Sequence, residues 1–459
     1  MSTALSVERS TPLSVSSEEA FAWHARPGAL ERLIPPWLEI EVPRRDPNLV
    51  EGSRAELVIH QGPLRVHWTA EHRNVEPGRG FDDIQLRGPF DQWTHRHRFE
   101  PAGAGGSILH DHIHCVLPRG AGMLRRRVTR ELARLLSYRH AVTAADLAMH
   151  AAVKRPPLHV AVTGASGFIA SLLIPVLTTG GHRVTRLVRR PPREGQGEIR
   201  WDPAGGGLRP EALRGIDAVV HFAGENIARR WTERRKRAIL ESRQSGTRLL
   251  AEAIAQADGG PRTLISASAI GYYGERGEET LTEASSPGTG FLPEVAQAWE
   301  AASAPAEASG VRVVRIRIGL PLSPAGGLLR RMLLPFRLGA GGRLGSGKQW
   351  MSWIGADDLL GVFYRALTDE NVRGVLNATA PEPVRNAVFA RELGKALHRP
   401  AWLPVPAPAL RLLFGQMADE AILASTRVLP EVLTRSGYRF RHPTLGEALR
   451  HVLGTTAHR

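Results

Sequence analysis

A chain of 459 residues is too long for one ordinary hydrophobic core, so two or three domains are expected. The formal net charge of +15 does not mark a nucleic-acid partner, because the 60 basic residues are scattered and nearly all arginine, with lysine only at 154, 236, 348 and 395. The single cysteine, Cys115, rules out an intramolecular disulfide and a cysteine-based zinc site, and the absence of both a leader-like opening and a long apolar window makes a soluble cytoplasmic protein without membrane partners the expectation.

In chain order, Ser16-Ser17 followed by Glu18 and Glu19 predicts a helix from Glu18 to Leu33. Strands are expected at Ala55–His60, Val66–Asn74, Gly80–Leu86, Trp93–Glu100 and Ser107–Val116, separated by glycine-rich turns. Apolar residues at helical spacing then run from Gly122 to Met149, and Ala151–Pro157 (AAVKRPP) is punctuated as a linker. A helix, an antiparallel sheet and a long closing helix form an α+β unit over 1–150. Alternation puts His95 and His97 on one face of their strand, and His110, His112 and His114 on one face of theirs. Paired imidazoles could share a metal ion. With Asp111 turned away from the trio, the reading is instead polar strand residues and no metal, Asp111 facing inward toward an arginine. The architecture and the phrase GPFDQWTHRHRFEP resemble the START-like polyketide cyclase/dehydrase family, the helix-grip group. That resemblance implies an apolar ligand held between sheet and helix.

A different texture begins at Leu158. The run LHVAVTGASGFIA reads as strand, glycine-rich turn and helix, with small residues where a pyrophosphate must approach backbone amides. The helix Phe168–Leu177 stops at Gly180-Gly181, and a second strand spans His182–Arg190. It ends in Arg189 and Arg190, where a dinucleotide fold selective for NAD would carry an acidic residue, so a 2′-phosphate and hence NADP is favoured. Further strands are expected at Asp217–Gly224, Thr263–Ala269 and Val311–Leu320, with a helix at Trp231–Ala257. The whole of 158–459 reads as α/β: a Rossmann-like parallel sheet with helices on both faces. Asp357 and Asp358 read as the cap of the helix that follows them.

The phrases TGASGFIAS, HFAGENIARRW, ESRQSGTRLL, SASAIGYYG and LPFRLGAGGRLGSGKQWMSWIGADDL resemble the extended short-chain dehydrogenase/reductase superfamily, in its atypical "epimerase family protein" branch. The resemblance runs from about 159 to 452. It implies that Gly164, Ser166, Gly167, Phe168 and Ile169 wrap the pyrophosphate and that Arg189 and Arg190 take the adenosine phosphate of NADP(H). It implies also that Phe222, Ala223, Gly224 and Asn226 line the adenine and ribose side, with Arg243 facing the nucleotide. Ala170 stands in place of a third glycine, adding one methyl at the helix–sheet contact.

Active members of that superfamily pair a serine with a Tyr-x-x-x-Lys element. Ser268 matches the serine, but Gly290–Trp299, where the element belongs, contains neither tyrosine nor lysine. Tyr272 and Tyr273 lie close to Ser268 in sequence, and Tyr272 is taken with Ser268 as the candidate catalytic pair. Glu294 and Glu300 read as ordinary helix carboxylates. Two expectations follow: an NADP-dependent oxidoreductase or epimerase-like enzyme acting on a small molecule, or a non-catalytic NADPH-binding protein.

Overall fold

A computed structural model describes residues 4–205 and 207–455. The chain divides into two compact units, one built on residues up to Pro157 plus Pro175–Gly181, the other on Leu158–Ile174 and His182–Leu453.

In the first unit seven strands form one antiparallel sheet: β1 (Ala4–Leu13), β2 (Glu39–Arg45), β3 (Arg54–Gln61), β4 (Leu64–Glu76), β5 (Gly80–Arg87), β6 (Gln92–Ala102) and β7 (Gly106–Val116). Their order is β1-β7-β6-β5-β4-β3-β2, so the first strand closes beside the last. The 27-residue helix α3 (Arg125–Ala151) buries Leu132, Leu136, Tyr138, Val142 and Leu147. These pack with Leu5, Val7, Ile113, Phe99 and Leu109 of the sheet, which is the grip the α+β reading anticipates.

The single early helix is in fact two, α1 (Ser17–Ala25) and α2 (Ala29–Leu33). Ser16 caps α1 by accepting the Glu19 N–H at 3.3 Å. Pro27 then removes a donor and holds Arg26 extended, and Gly28 turns the chain at a φ of 96°. His95 and His97 face inward and are buried, while His110, His112 and His114 lie on the more open face. Asp111 also faces inward, but the partners around it are His95, His97 and His140 rather than an arginine. The register explains this: His97 and Asp111 sit directly opposite each other across β6 and β7, so their side chains share a face.

The second unit is built on a seven-stranded parallel sheet: β8 (His159–Thr163), β9 (Arg183–Val188), β10 (Glu198–Arg200), β11 (Ala218–His221), β12 (Thr263–Ala269), β14 (Arg312–Ile318) and β18 (Gly374–Ala378). Short pairs lie outside it, including β13 (Thr280–Leu281), β15 (Leu320–Leu322), β16 (Trp350–Met351) and β17 (Trp353–Gly355). The order β10-β9-β8-β11-β12-β14-β18 runs outward in both directions from β8. This is the Rossmann-like arrangement, whose switch point lies between β8 and β11.

Helices α4 (Phe168–Thr179), α5 (Glu233–Gln256), α6 (Phe291–Ala301), α7 (Ala304–Ala308) and α9 (Ala356–Thr368) flank that sheet, while α8 (Gly327–Arg337) packs beside β15 in a separate apolar cluster. Leu250, Ala251 and Ile254 of α5 pack with Ala161, Val219 and Leu264 from three successive strands. The central strands β8 and β11, buried on both faces, carry continuous apolar runs, whereas β9 nearer the edge alternates in burial. Asp357 and Asp358 lie in the first turn of α9 but do not cap it. Asp358 accepts the backbone N–H groups of Arg441 and His442, and Asp357 accepts the His451 ring at 2.6 Å. Among the described residues no helix is long and apolar enough to cross a membrane.

Candidate functional site

The turn after β8 is shaped by two glycines. Gly164 adopts a φ of 63°, and a Cβ there would stand 3.0 Å from the Ala223 backbone nitrogen. Only a residue without a side chain lets the β8 turn and the end of β11 approach this closely. The Gly167 N–H donates to the Gly164 carbonyl at 2.8 Å, closing the turn into α4. Ser166 and Gly167 are exposed at its tip, and Phe168 and Ile169 open the helix. Ala170 is fully buried at the next position.

Beneath the turn lies a buried chain of polar groups. The Thr163 hydroxyl accepts the backbone N–H groups of Phe222 and Ala223 at 3.1 and 3.2 Å and bonds His221 Nδ1 at 2.8 Å. His221 Nε2 bonds the Thr247 hydroxyl on α5 at 2.9 Å. Burial, reinforced by the nearby Arg243 charge, lowers the His221 pKa to about 3, so the imidazole is neutral at physiological pH. The network fixes the ends of β8 and β11 against each other at the switch point.

Around the switch point the structure gathers most of the residues expected there. Gly224 lets the Arg243 guanidinium approach, since a Cβ would lie 3.1 Å from Arg243 Cζ. Arg243 donates to the Glu225 carbonyl at 2.9 Å and lies 4.8 Å from the Trp299 ring centroid. Its burial lowers its pKa to about 10. Phe222 packs against Phe363, and Asn226 is exposed, its side chain accepting the Ala228 N–H. At the end of β9 the two arginines differ. Arg190 makes a two-point pair with Glu198 on β10, at 2.8 and 2.5 Å. Arg189 is exposed and has no side-chain hydrogen bond or ion pair among the described residues.

The end of β12 carries the second half of the site. Ser268 Oγ donates to Glu300 Oε1 at 2.6 Å, and Glu300 receives Arg317 in a fork with both bonds at 2.8 Å. Arg317 also donates to the Tyr273 hydroxyl at 2.9 Å, whose single proton has Asn377 Oδ1 and the Thr282 carbonyl within reach at 2.8 and 2.9 Å. Its guanidinium lies 3.4 Å from the Tyr272 ring centroid. Burial alone would lower the Arg317 pKa, but the bonds and charge of Glu300 and Tyr273 carry it upward. Burial pushes Tyr273 up as well. Ser268 and Tyr272 therefore meet through Arg317, and Glu300, read from sequence as a surface carboxylate, is the hub.

The NAD dependent epimerase/dehydratase family matches residues 160–378, and a polyketide cyclase/dehydrase and lipid transport family matches 13–140. A domain of unknown function matches 405–452. An epimerase family protein of Mycobacterium tuberculosis, MT2273, is 46% identical over 291 residues, covering 63% of this chain and 96% of the relative. The structure of a nucleoside-diphosphate sugar epimerase from Corynebacterium glutamicum aligns with 98% of this chain and 90% of its own, with a TM-score of 0.80 at 34% identity. The human epimerase family protein SDR39U1, solved with NADPH, aligns with 64% of this chain and 99% of its own, with a TM-score of 0.59 at 37% identity. With its parallel-sheet unit matched along nearly the whole length of such relatives, this chain belongs to the NAD dependent epimerase/dehydratase family, and a START-like unit precedes that domain.

Proposed function

We propose that the parallel-sheet unit binds NADP(H) and acts as an oxidoreductase or epimerase-like enzyme on a small carbonyl or hydroxyl compound, with the START-like unit holding an apolar ligand. The observation that carries the reading is the Gly164 turn, whose missing Cβ lets it close against the Phe222–Ala223 backbone at the switch point where dinucleotides lie in such folds. Backbone amides from Gly164 to Ile169 would hold the pyrophosphate, and Phe222, Ala223, Gly224 and Asn226 would line the adenine and ribose side. Arg243 would face the nucleotide. Arg189, exposed and without a protein partner among the described residues, is the cation for a 2′-phosphate, with Arg190 supporting it from its pair with Glu198. The human relative's NADPH fits this choice.

When bound, the nicotinamide supplies hydride transfer. Ser268 would orient the reacting oxygen and the Tyr272 hydroxyl would carry the proton. Arg317, lying over the Tyr272 ring and paired with Glu300, would stand in place of the missing lysine. A second reading, a cofactor-binding protein without turnover, draws on Ser268: its hydroxyl is already committed to Glu300. The test is consumption of NADPH against a panel of small carbonyl compounds. Turnover that Tyr272→Phe abolishes supports the enzyme. Tight NADPH binding with no turnover on any of them supports the second reading, and no binding at all overturns both.

A further inference from the structure

The START-like unit holds a cluster of imidazoles and carboxylates between its sheet and helices that an apolar-ligand pocket does not require. Asp83 on β5 and His95 and His97 on β6 each present a ligand-type atom, all within 4.8 Å of one another. His95 and His97 are 2% and 4% exposed, their rings 3.9 Å apart, whereas Asp83 is half-buried and leaves a way in. The His97 Nε2 to Asp83 Oδ2 distance is 3.4 Å. That is long for a charge-assisted hydrogen bond. Two ligand atoms each about 2.0 to 2.1 Å from a tetrahedral ion sit about 3.3 Å apart, close to the 3.4 Å between His97 Nε2 and Asp83 Oδ2.

The surrounding contacts are those of a ligand set already oriented. His97 Nδ1 donates to Asp111 Oδ1 at 2.8 Å, which fixes the ring and turns Nε2 toward Asp83. Carboxylates commonly hold metal-bound histidines in this way. The second Asp83 oxygen accepts His72 Nδ1 at 2.6 Å, holding that carboxylate from the other side. His95 Nε2 is buried without a hydrogen bond, 3.4 Å from Asp111 Oδ2. His140 Nε2 is likewise buried and unbonded, 3.2 Å from the same oxygen. Asp111 thus stands behind the two histidine ligands, with His140 on its other side.

We propose that Asp83, His95 and His97 bind a divalent transition-metal ion of the zinc class, with Asp111 and His72 positioning the ligands. Two histidines and one carboxylate suit zinc or cobalt and leave a coordination position for water or a ligand oxygen. The ion would give the inward face of this unit's sheet a Lewis-acidic point able to hold a carbonyl, enol or carboxylate group at one end of an otherwise apolar ligand.

The test uses the full-length chain, stripped with chelator, dialysed and titrated with Co²⁺, whose visible bands report a low-symmetry nitrogen and oxygen site. One ion per chain is expected, with the bands bleached by Zn²⁺. His97→Gln and Asp83→Asn should lose the bands while keeping the far-ultraviolet circular dichroism of the parent. Asp111→Asn should weaken binding by about 10- to 100-fold without abolishing it. A second group, Asp357, His442 and His451 in the parallel-sheet unit, also has ligand-type spacing, so Asp357→Asn serves as the control. Bands lost in Asp357→Asn and retained in His97→Gln would place the ion there and overturn the proposal. Absence of stoichiometric binding to the folded parent would overturn it too.

Discussion

Ser268 donates its hydroxyl to Glu300 at 2.6 Å, and the same carboxylate is the two-point partner of the buried Arg317. A strand-end serine and a helix glutamate separated by 32 positions thereby tie β12, α6 and β14 together at the mouth of the site. The pair is buried, so removing one charge leaves the other stranded in a poorly solvated place.

Glu300→Gln should therefore destabilise the chain by about 3 kcal/mol or more, because Arg317 loses its counter-ion. Glu300→Gln with Arg317→Met should recover much of that loss, since no unpaired charge remains. Urea unfolding of the parent, both single variants and the double variant measures the coupling. A double variant no more stable than Glu300→Gln would show that the pair is not the source of the cost.

The Gly164 turn makes a separate prediction. Gly164→Ala places a methyl 3.0 Å from the Ala223 nitrogen in a left-handed backbone conformation. A stability loss of about 1 kcal/mol is expected from the conformation alone. The larger effect should be on cofactor, with NADPH affinity reduced by more than about tenfold while the fold persists, which fluorescence titration of NADPH would read. Unchanged affinity would mean that the turn does not approach the dinucleotide.

His221 gives the chain a pH dependence of known sign. Its pKa falls from 6.5 in the ordinary state to about 3, so the unfolded chain takes up a proton that the folded chain refuses. The stability it confers is complete above about pH 6.5 and is lost progressively as pH falls toward 3. His221→Gln should flatten the stability curve between about pH 7 and pH 5, as measured by urea midpoints across that range. An equal slope in parent and variant would contradict the assignment.

The parts of the molecule that local pattern controls were legible in the sequence. Thr263–Ala269 is a strand with the bounds read from its apolar run, and the strand–turn–helix at Leu158–Ala170 stands where the glycines put it. What was missed depends on partners distant in sequence. The β1 strand alternates weakly, and it is defined by pairing with β7. The Arg190–Glu198 pair needs β9 and β10 side by side, and β10 is only three residues long. Glu300 looks like any helix carboxylate until β12 and β14 bring Ser268 and Arg317 to it. The inward cluster of the START-like unit was half visible: alternation placed His95 and His97 together, but the cross-strand register that adds Asp111 is not written in either strand alone.

Arg189 is the proposed anchor of NADP(H) in the cradle at the end of β8. Calorimetric titration of the parent and of Arg189→Glu with NADPH and with NADH tests it most directly. The parent should bind NADPH more tightly than NADH, and the variant should lose about 2 kcal/mol, roughly thirtyfold, toward NADPH while its NADH affinity stays nearly unchanged. Equal binding of NADPH by parent and variant, or no binding of either nucleotide by the parent, would contradict it.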